Sequence, residues 1–320
     1  MTDADAVPDP DSVPSLPVDD AAELTTRIVD NVERVIVGHP DAIEHILVAL
    51  FARGHLLLED VPGVGKTMLA RAVATSLDCS FKRVQFTPDL LPSDVTGVSV
   101  FNEKTREFEF RAGPVFANVV LGDEINRAPP KTQAALLEVM EERQVTVDGD
   151  ARPVPDPFTV IATQNDVEPG QTYDLPVAEV DRFTKKIRLG YPTEAEETKL
   201  LGRLAGDHPI ESLEPVATVE DVRRARRTVA DVTVREPVRA YVARLANHTR
   251  EHARLGVSPR GTIALVRASQ ARAVFEGRDF VTPDDVQREA PTVWGHRIRT
   301  DTDVEGAAVV ERALDDVAVE

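Results

Sequence analysis

A short apolar stretch, a glycine-rich turn and a helical pattern follow one another directly, and this order constrains the fold more than any other feature. The apolar stretch is Leu56–Leu58, and the turn after it ends in Gly63-Val64-Gly65-Lys66-Thr67. Glycines here let backbone N–H groups point inward, and the helix that follows directs its positive dipole end at an anion. The pattern predicts a phosphate-binding loop between a strand and a helix.

Each polar side chain of this loop has a predicted task. Lys66 is expected to reach the β- and γ-phosphates of a nucleotide, and the hydroxyl of Thr67 is expected to ligate Mg²⁺. One position departs from the usual motif, because Asp60 stands where its first glycine is expected. The alternative is a glycine-rich turn with an accidental Lys-Thr. The other residues expected to contact the nucleotide here are Pro62, Gly63, Val64, Gly65 and Met68.

Short apolar strands alternate with helical stretches as far as Tyr191-Pro192, and only helical patterns follow. This alternation predicts an α/β domain with a parallel sheet, covered by helices on both faces. We expect a disordered acidic tail at residues 1–20, the nucleotide-binding domain at 21–191 and a smaller all-helical domain at 192–320. The strands expected after Leu56–Leu58 are 84–86, 119–121, 158–162 and 187–189, and the clearest helices are 66–76 and 131–142.

Two adjacent acids follow the predicted strand at residues 119–121. Asp123 is expected to hold Mg²⁺, and Glu124 is expected to orient and deprotonate an attacking water. Such a pair could also begin a solvated loop. Its place after a strand of the same sheet as the phosphate loop favours the catalytic interpretation.

Several longer motifs resemble those of MoxR-type AAA+ ATPases. The likeness extends from about Val35 to Phe280. It implies an AAA+ nucleotide-binding domain followed by a helical lid, in the clade with an insertion in the second helix, and it implies ATP hydrolysis with Mg²⁺. The motifs that carry the resemblance are residues 86–94, 123–133, 162–165 and 172–176.

The resemblance also implies roles for single residues. Asn165 matches the polar sensor that positions the attacking water, and Arg182 matches the arginine that reaches a neighbouring subunit's γ-phosphate. Arg260 matches the second sensor, which would couple the lid to the nucleotide of its own subunit. Val37 and Gly38 lie where such proteins pack the adenine. A plain loop or surface role remains the alternative for each of them.

Two β-hairpins are predicted within the α/β pattern. The first joins 98–101 to 108–110, and the second joins 145–147 to 152–154 through a turn that contains Asp148-Gly149. The resemblance places them as the insertion in the second helix and the hairpin before the first sensor. In related motors such hairpins project toward the pore or the substrate.

The resemblance further implies partners: a homo-oligomeric ring, expected to be a hexamer, and a protein with a von Willebrand factor A domain. The resemblance also implies a role in chaperone-like remodelling or metal insertion, as in members of the MoxR family. A signalling GTPase is disfavoured because we find no Asn-Lys-x-Asp motif, and Glu124 and Arg182 argue against a scaffold that binds ATP without hydrolysing it. A nucleic-acid motor is the third alternative.

The charge balance bears on that third alternative. The formal net charge of −18 disfavours binding to phosphate backbones. Most cationic residues are arginines, and this acid-rich, lysine-poor composition is typical of proteins that work at high salt. We find neither a long apolar run nor a signal peptide, and the single Cys79 excludes an internal disulfide, so we expect a cytoplasmic protein.

Overall fold

The structure is a computed structural model that describes residues 13–59, 61, 63–164, 172–203, 209–301 and 304–319. In chain order, its strands are β1 (Leu56–Glu59), β2 (Phe81–Gln85), β3 (Gly97–Asn102), β4 (Glu107–Ala112), β5 (Val119–Asp123), β6 (Gln144–Val147), β7 (Asp150–Pro153), β8 (Thr159–Gln164) and β9 (Lys185–Ile187). Its helices are α1 (Val18–Glu33), α2 (Pro40–Phe51), α3 (Lys66–Ser76), α4 (Pro92–Thr96), α5 (Pro130–Glu142), α6 (Val177–Val180), α7 (Glu194–Arg203), α8 (Val219–Asp231), α9 (Glu236–His252), α10 (Pro259–Phe275), α11 (Pro283–Trp294) and α12 (Gly306–Asp316).

Within the described residues, five strands form one parallel sheet in the order β2-β5-β8-β1-β9. Leu56 of β1 pairs with Ile161 of β8 on one side and with Lys185 of β9 on the other. Every residue of β1 and β5 is buried, because helices cover both faces of the sheet. The predicted parallel α/β sheet is therefore confirmed, although β2 and β9 begin and end earlier than expected.

The two faces of the sheet belong to different hydrophobic clusters, because successive strand residues point to opposite sides. Leu56 and Leu58 join a cluster that includes α1, α2, α3 and helices from the C-terminal half, such as α10. Leu57 joins the cluster on the other face, which includes α5 and Val145 of β6. The helical lid, which we define as α8 to α12, thus shares its core with one face of the α/β domain.

Both predicted hairpins are confirmed. Strand β3 pairs with β4, and β6 pairs with β7, each in antiparallel register. The β6–β7 turn places Asp148 and Gly149 at φ values of 55° and 90°, the left-handed conformations that tight hairpins require. At the first hairpin, Phe101 and Phe108 face each other edge to face, and both are exposed.

Helix starts in the lid follow from local sequence. Prolines occupy the first turn of α9, α10 and α11, where a missing N–H costs no helical hydrogen bond. Ser258 caps α10 by accepting a hydrogen bond from the Gly261 N–H at 3.1 Å.

At the other end of the chain, α1 already begins at Val18, and Leu16 N–H donates to Thr228 Oγ1 of α8. The packed part of the chain therefore begins before the expected end of the tail at residue 20.

A buried charge cluster joins the lid to the α/β domain. Glu289 of α11 accepts hydrogen bonds from Lys185 of β9 and, at 2.9 Å, from Arg272 Nε of α10. Arg272 Nη1 also donates to Glu44 of α2 at 2.6 Å. These contacts fix the lid against β9 and α2. Among the described residues, none of the helices has the length and apolar character needed to cross a membrane.

Candidate nucleotide site and its two edges

The phosphate loop follows β1 at the edge of the sheet where the strands end, which we call the carboxyl edge. Gly63 and Gly65 both have φ of 88°, a left-handed conformation that glycine adopts without strain. A Cβ added at either glycine would meet no atom within 4 Å, so the space beside both glycines is open. The loop therefore fits a bound phosphate chain. Asp60 and Pro62 lie outside the described residues.

Lys66 and Thr67 begin α3 as the sequence predicts. The Lys66 side chain is buried, and its Nζ lies 3.3 Å from the Val61 carbonyl oxygen. Thr67 and Met68 are half-buried in the first turn, as is Val64 in the loop. An ammonium group held at the start of a helix beside inward N–H groups is suited to a nucleotide's phosphates.

Asp123 ends β5 at the same edge. Its Oδ1 accepts a hydrogen bond from Thr163 Oγ1 at 2.6 Å, and its Oδ2 accepts one from Arg83 Nη2 at 2.6 Å. The carboxylate of Asp123 and the hydroxyl of Thr67 are oxygen ligands of the type that Mg²⁺ prefers. The residues present therefore fit a magnesium ion, provided that Arg83 releases its oxygen.

Glu124 has a left-handed backbone, with φ of 57°, which is uncommon for a residue other than glycine. Its N–H donates to Thr163 Oγ1 at 2.8 Å, so the Thr163 hydroxyl contacts both acids of the pair. Its Oε2 accepts hydrogen bonds from Gln85 Nε2 at 2.7 Å and from Arg127 Nη1 at 2.9 Å. The expected base is thus held by two neighbours at the carboxyl edge.

The residues expected near the adenine lie before α2. Val37 is buried, and Gly38 has φ of 88°. A Cβ at Gly38 would displace the Glu196 side chain of α7, and the left-handed backbone would strain any residue other than glycine. The segment therefore packs closely against the helix that leads into the lid. Asn165, the expected sensor, lies outside the described residues.

Arg182 and Arg260 lie at the opposite edge, where the strands begin. Arg182 precedes β9, and α5 runs back from the carboxyl edge so that Glu141 ends beside it. Neighbouring Met140 accepts a hydrogen bond from His55, the residue before β1, which confirms this position. Arg260 Nη2 donates to Glu141 Oε1 at 2.5 Å. Both arginines therefore share the amino edge.

This placement corrects the expectation that Arg260 serves the nucleotide of its own subunit. The two edges are separated by the length of a strand, and the five residues of β5 span about 16 Å. An arginine at the amino edge cannot reach phosphates at Lys66 of the same chain. The motif could not reveal this, because the packing of the lid against the sheet decides where Arg260 lies.

Comparisons with known proteins identify the family. Residues 55–185 match the model of the ATPase family associated with various cellular activities (AAA), and residues 245–316 match the AAA lid domain. The chain is 39% identical to the chaperone MoxR1 of Mycobacterium tuberculosis over 317 residues, which cover 93% of this chain and 84% of that protein. It is 33% identical to the protein MoxR of Methylorubrum extorquens, over 87% of this chain and 88% of that protein. This chain belongs to the MoxR family of AAA+ ATPases.

Two further comparisons agree with this MoxR-family membership. The protein YeaC of Bacillus subtilis strain 168 is 53% identical over 282 residues, 88% of each chain. A crystal structure of a candidate ATPase from Cytophaga hutchinsonii superposes with a TM-score of 0.89 at 35% identity, covering 95% of this chain and 97% of that one. The family and this structure support ATPase activity in general and confirm the AAA domain followed by a helical lid.

Three polar residues of this MoxR-family site were missed by the sequence reasoning. Arg83 and Gln85 belong to β2, and Gln85 pairs in register with Asp123 of β5. Thr163 belongs to β8, within the motif 162–165, in which the resemblance implies a role for Asn165 only. The order β2-β5-β8 brings all three to the acidic pair. Gln85 and Thr163 stand at or next to the end of a strand, whereas Arg83 lies within β2, where no sequence signal marks it.

Proposed function

We propose that this protein hydrolyses ATP with Mg²⁺ at the subunit interfaces of a homo-oligomeric ring, a hexamer, in the cytoplasm. The observation that carries the proposal is the separation of the site into two edges of one subunit. Lys66, Asp123 and Glu124 lie at the carboxyl edge, whereas Arg182 and Arg260 lie at the amino edge. A complete set of groups forms only when the amino edge of one subunit meets the carboxyl edge of the next.

In the proposed reaction, a water oxygen bonds to the γ-phosphorus and the bond to the β–γ bridging oxygen breaks. Glu124 takes a proton from that water once Gln85 and Arg127 release its carboxylate. Lys66 binds the β- and γ-phosphates. Thr67 and Asp123 hold Mg²⁺, which supplies positive charge to the phosphates when bound.

The amino edge of the adjacent subunit completes the site. Arg182 and Arg260 of that subunit supply positive charge to the γ-phosphate as negative charge develops on it. Asn165 orients the water, and Val37 and Gly38 contact the adenine. The products are ADP and inorganic phosphate.

What supports a role in chaperone-like remodelling is the family, since the relative from Mycobacterium tuberculosis is named a chaperone. We propose that the ATPase cycle remodels, assembles or inserts metal into partner proteins. A partner with a von Willebrand factor A domain is part of this proposal. The net charge of −18 supports a protein partner rather than nucleic acid.

The test is ATP hydrolysis by wild type, Glu124→Gln and Arg182→Ala over a range of protein concentrations with Mg²⁺. We expect turnover per subunit to rise steeply with concentration, because the ring must assemble. Glu124→Gln should lower kcat by about 10² to 10⁴, and Arg182→Ala should lower it by about 10³ or more. Glu311→Gln, on the exposed side of α12, is the matched control and should behave as wild type.

Two outcomes would contradict this proposal. If turnover per subunit does not depend on protein concentration and Arg182→Ala remains active, hydrolysis does not need a site shared between subunits. ATP binding without hydrolysis in the wild type would leave only a nucleotide-dependent scaffold.

A further inference from the structure

One carboxylate contacts both arginines of the amino edge. Glu141, in the last turn of α5, places its Oε2 3.2 Å from Arg182 Nε and accepts a hydrogen bond from Arg260 Nη2 on its Oε1 at 2.5 Å. The three residues come from three different elements of the fold. In the described part of the chain, Glu141 is the only carboxylate paired with either arginine.

These residues border a cavity of about 500 Å³ whose charge opposes that of the whole chain. Arginines outnumber acids in its lining, although the chain carries a net charge of −18. A cationic concavity attracts an anion, and the phosphate chain of a nucleotide is a fitting one. The charged residues of the lining are Arg53, Arg143, Arg182, Arg260, Arg267, Arg297, Glu141 and Asp181.

The contacts of Glu141 leave donors for such an anion. A guanidinium group has five N–H donors, and the contacts with Glu141 involve Nε of Arg182 and Nη2 of Arg260. Without the carboxylate, the two like charges would repel each other and separate. Glu141 therefore holds the pair together while most of their donors stay available to an oxyanion.

A second carboxylate connects the same two segments. Asp181, which precedes Arg182, lies 3.1 Å from Ser258 Oγ, the cap of the helix that carries Arg260. Arg297 Nε of the lid donates to Asp181 at 2.7 Å. The segment with Arg182 is thus joined to the start of α10 through Ser258 and to the lid through Arg297, which restricts the separation of the two arginines.

We propose that Glu141 is a positioning residue that holds Arg182 and Arg260 at the spacing in which both reach the γ-phosphate bound by the adjacent subunit. Glu141 does not itself touch the nucleotide. The inference rests on the proposed function and deepens it, because it names the group that aligns the arginines acting across the interface.

The first test compares the ATPase kinetics of Glu141→Gln with those of Glu142→Gln. Glu142 is the adjacent exposed acid of α5, so the control removes the same charge from the same helix. We expect Glu141→Gln to lower kcat about ten- to a hundredfold, since misplacing a group by about 1 Å costs about that much. The KM for ATP should stay within about twofold, because Lys66 and the phosphate loop are unchanged. Glu142→Gln should retain the wild-type kcat.

The second test mixes Glu141→Gln with Lys66→Ala, two variants that each hydrolyse ATP poorly alone. In a mixed ring, some Lys66→Ala subunits present an intact amino edge to the intact phosphate loop of a Glu141→Gln neighbour. We expect the mixture to exceed the sum of the separate activities severalfold. Mixing Glu141→Gln with the double variant Lys66→Ala/Glu141→Gln should give no gain. A merely structural role of Glu141 within its own subunit would produce no such pattern.

The outcomes distinguish a failure of the proposed role of Glu141 from a failure of the proposed ATPase function. If Glu141→Gln keeps the wild-type kcat, or if mixing restores nothing, Glu141 does not position the arginines, although the interface ATPase stands. If the wild type itself hydrolyses no ATP at any concentration, the proposed function fails and the role of Glu141 fails with it.

Discussion

Two glutamates each join a pair of cations across the boundary between the α/β domain and the lid, in opposite surroundings. Glu289 contacts Lys185 and Arg272, and the exposed fractions of these side chains are 2% or less. Glu141 contacts Arg182 and Arg260, and its own side chain is 37% exposed. The same charge pattern therefore forms a buried joint in one place and a solvent-exposed contact in the other.

The difference follows from the cost of removing charge from water. Burial alone would raise the pKa of Glu289, but the charges of Lys185 and Arg272 outweigh it and hold this pKa below its usual value. Breaking one such contact would leave a buried charge without a partner at a high cost in free energy, so the contacts of this cluster stay formed. Around Glu141, the side chains are partly solvated, so breaking one of these contacts costs much less free energy. Four predictions test this comparison.

The largest expected effect is on the buried joint. Glu289→Gln keeps the side-chain shape but leaves Lys185 and Arg272 without their shared carboxylate. We expect the free energy of unfolding to fall by about 3–5 kcal/mol, measured by urea denaturation. Glu311→Gln, an exposed change of the same type, should alter it by less than about 0.5 kcal/mol. An effect of Glu289→Gln as small as this control would show that the cluster is not a joint.

The second prediction concerns pH. His45 Nδ1 lies 2.7 Å from Lys185 Nζ, and burial, followed by the charge of Lys185, lowers the pKa of His45 from 6.5 to about 3. The unfolded chain then binds a proton below pH 6.5 that the folded chain does not. The stabilising contribution of neutral His45 is therefore complete above pH 6.5 and is lost as pH falls toward 3, by up to about 1.4 kcal/mol per pH unit.

The measurement is urea denaturation of wild type and His45→Gln between pH 7 and pH 5. Glutamine can accept the same hydrogen bond from Lys185 but does not titrate. We expect the variant to lose less stability than the wild type over this range. His55 and His296 also have lowered pKa values because of burial, so part of the slope should remain. Equal slopes in both proteins would mean that His45 gains its proton in the folded state.

The third prediction compares the loss in the free energy of unfolding caused by Glu141→Gln with the loss caused by Glu289→Gln. Because Glu141 and its two arginine partners are all partly exposed, we expect a loss of no more than about 1 kcal/mol in the free energy of unfolding. Thermal and urea unfolding should both show this small change. A loss as large as that of Glu289→Gln would make Glu141 a second structural joint and would explain any drop in kcat without positioning.

The smallest effect is on the response to salt. Raising KCl from about 0.1 M to about 1 M shortens the screening length from about 10 Å to about 3 Å. The wild type should become more stable, because a chain of net charge −18 repels itself less. The stability difference between wild type and Glu141→Gln should shrink, whereas that for Glu289→Gln should persist. Full stability in dilute buffer would contradict the expectation of a protein adapted to high salt.

Local sequence predicted much of the fold, and particular residues show why. Backbone and burial preferences that act over a few residues determine the apolar strands, the helices with proline in their first turn and the Asp148-Gly149 turn. The phosphate loop also depends on consecutive residues, so Lys66 and Thr67 could be predicted directly from the sequence. Gly122 precedes the acidic pair in β5 and is buried. In the structure, a Cβ there would lie 3.2 Å from Leu136 and 3.3 Å from Phe86, so close packing explains it.

The sequence by itself determined the parallel α/β domain, the helical lid, and Asp123 and Glu124 as the acids that follow a strand. Tertiary structure alone decided that Thr163, Gln85 and Arg83 surround these acids, because the order of strands brings them together. It also decided that Arg260 lies at the amino edge, beside Glu141. Contacts between residues far apart in the chain depend on how helices and strands pack together, and a motif of neighbouring residues does not determine that packing.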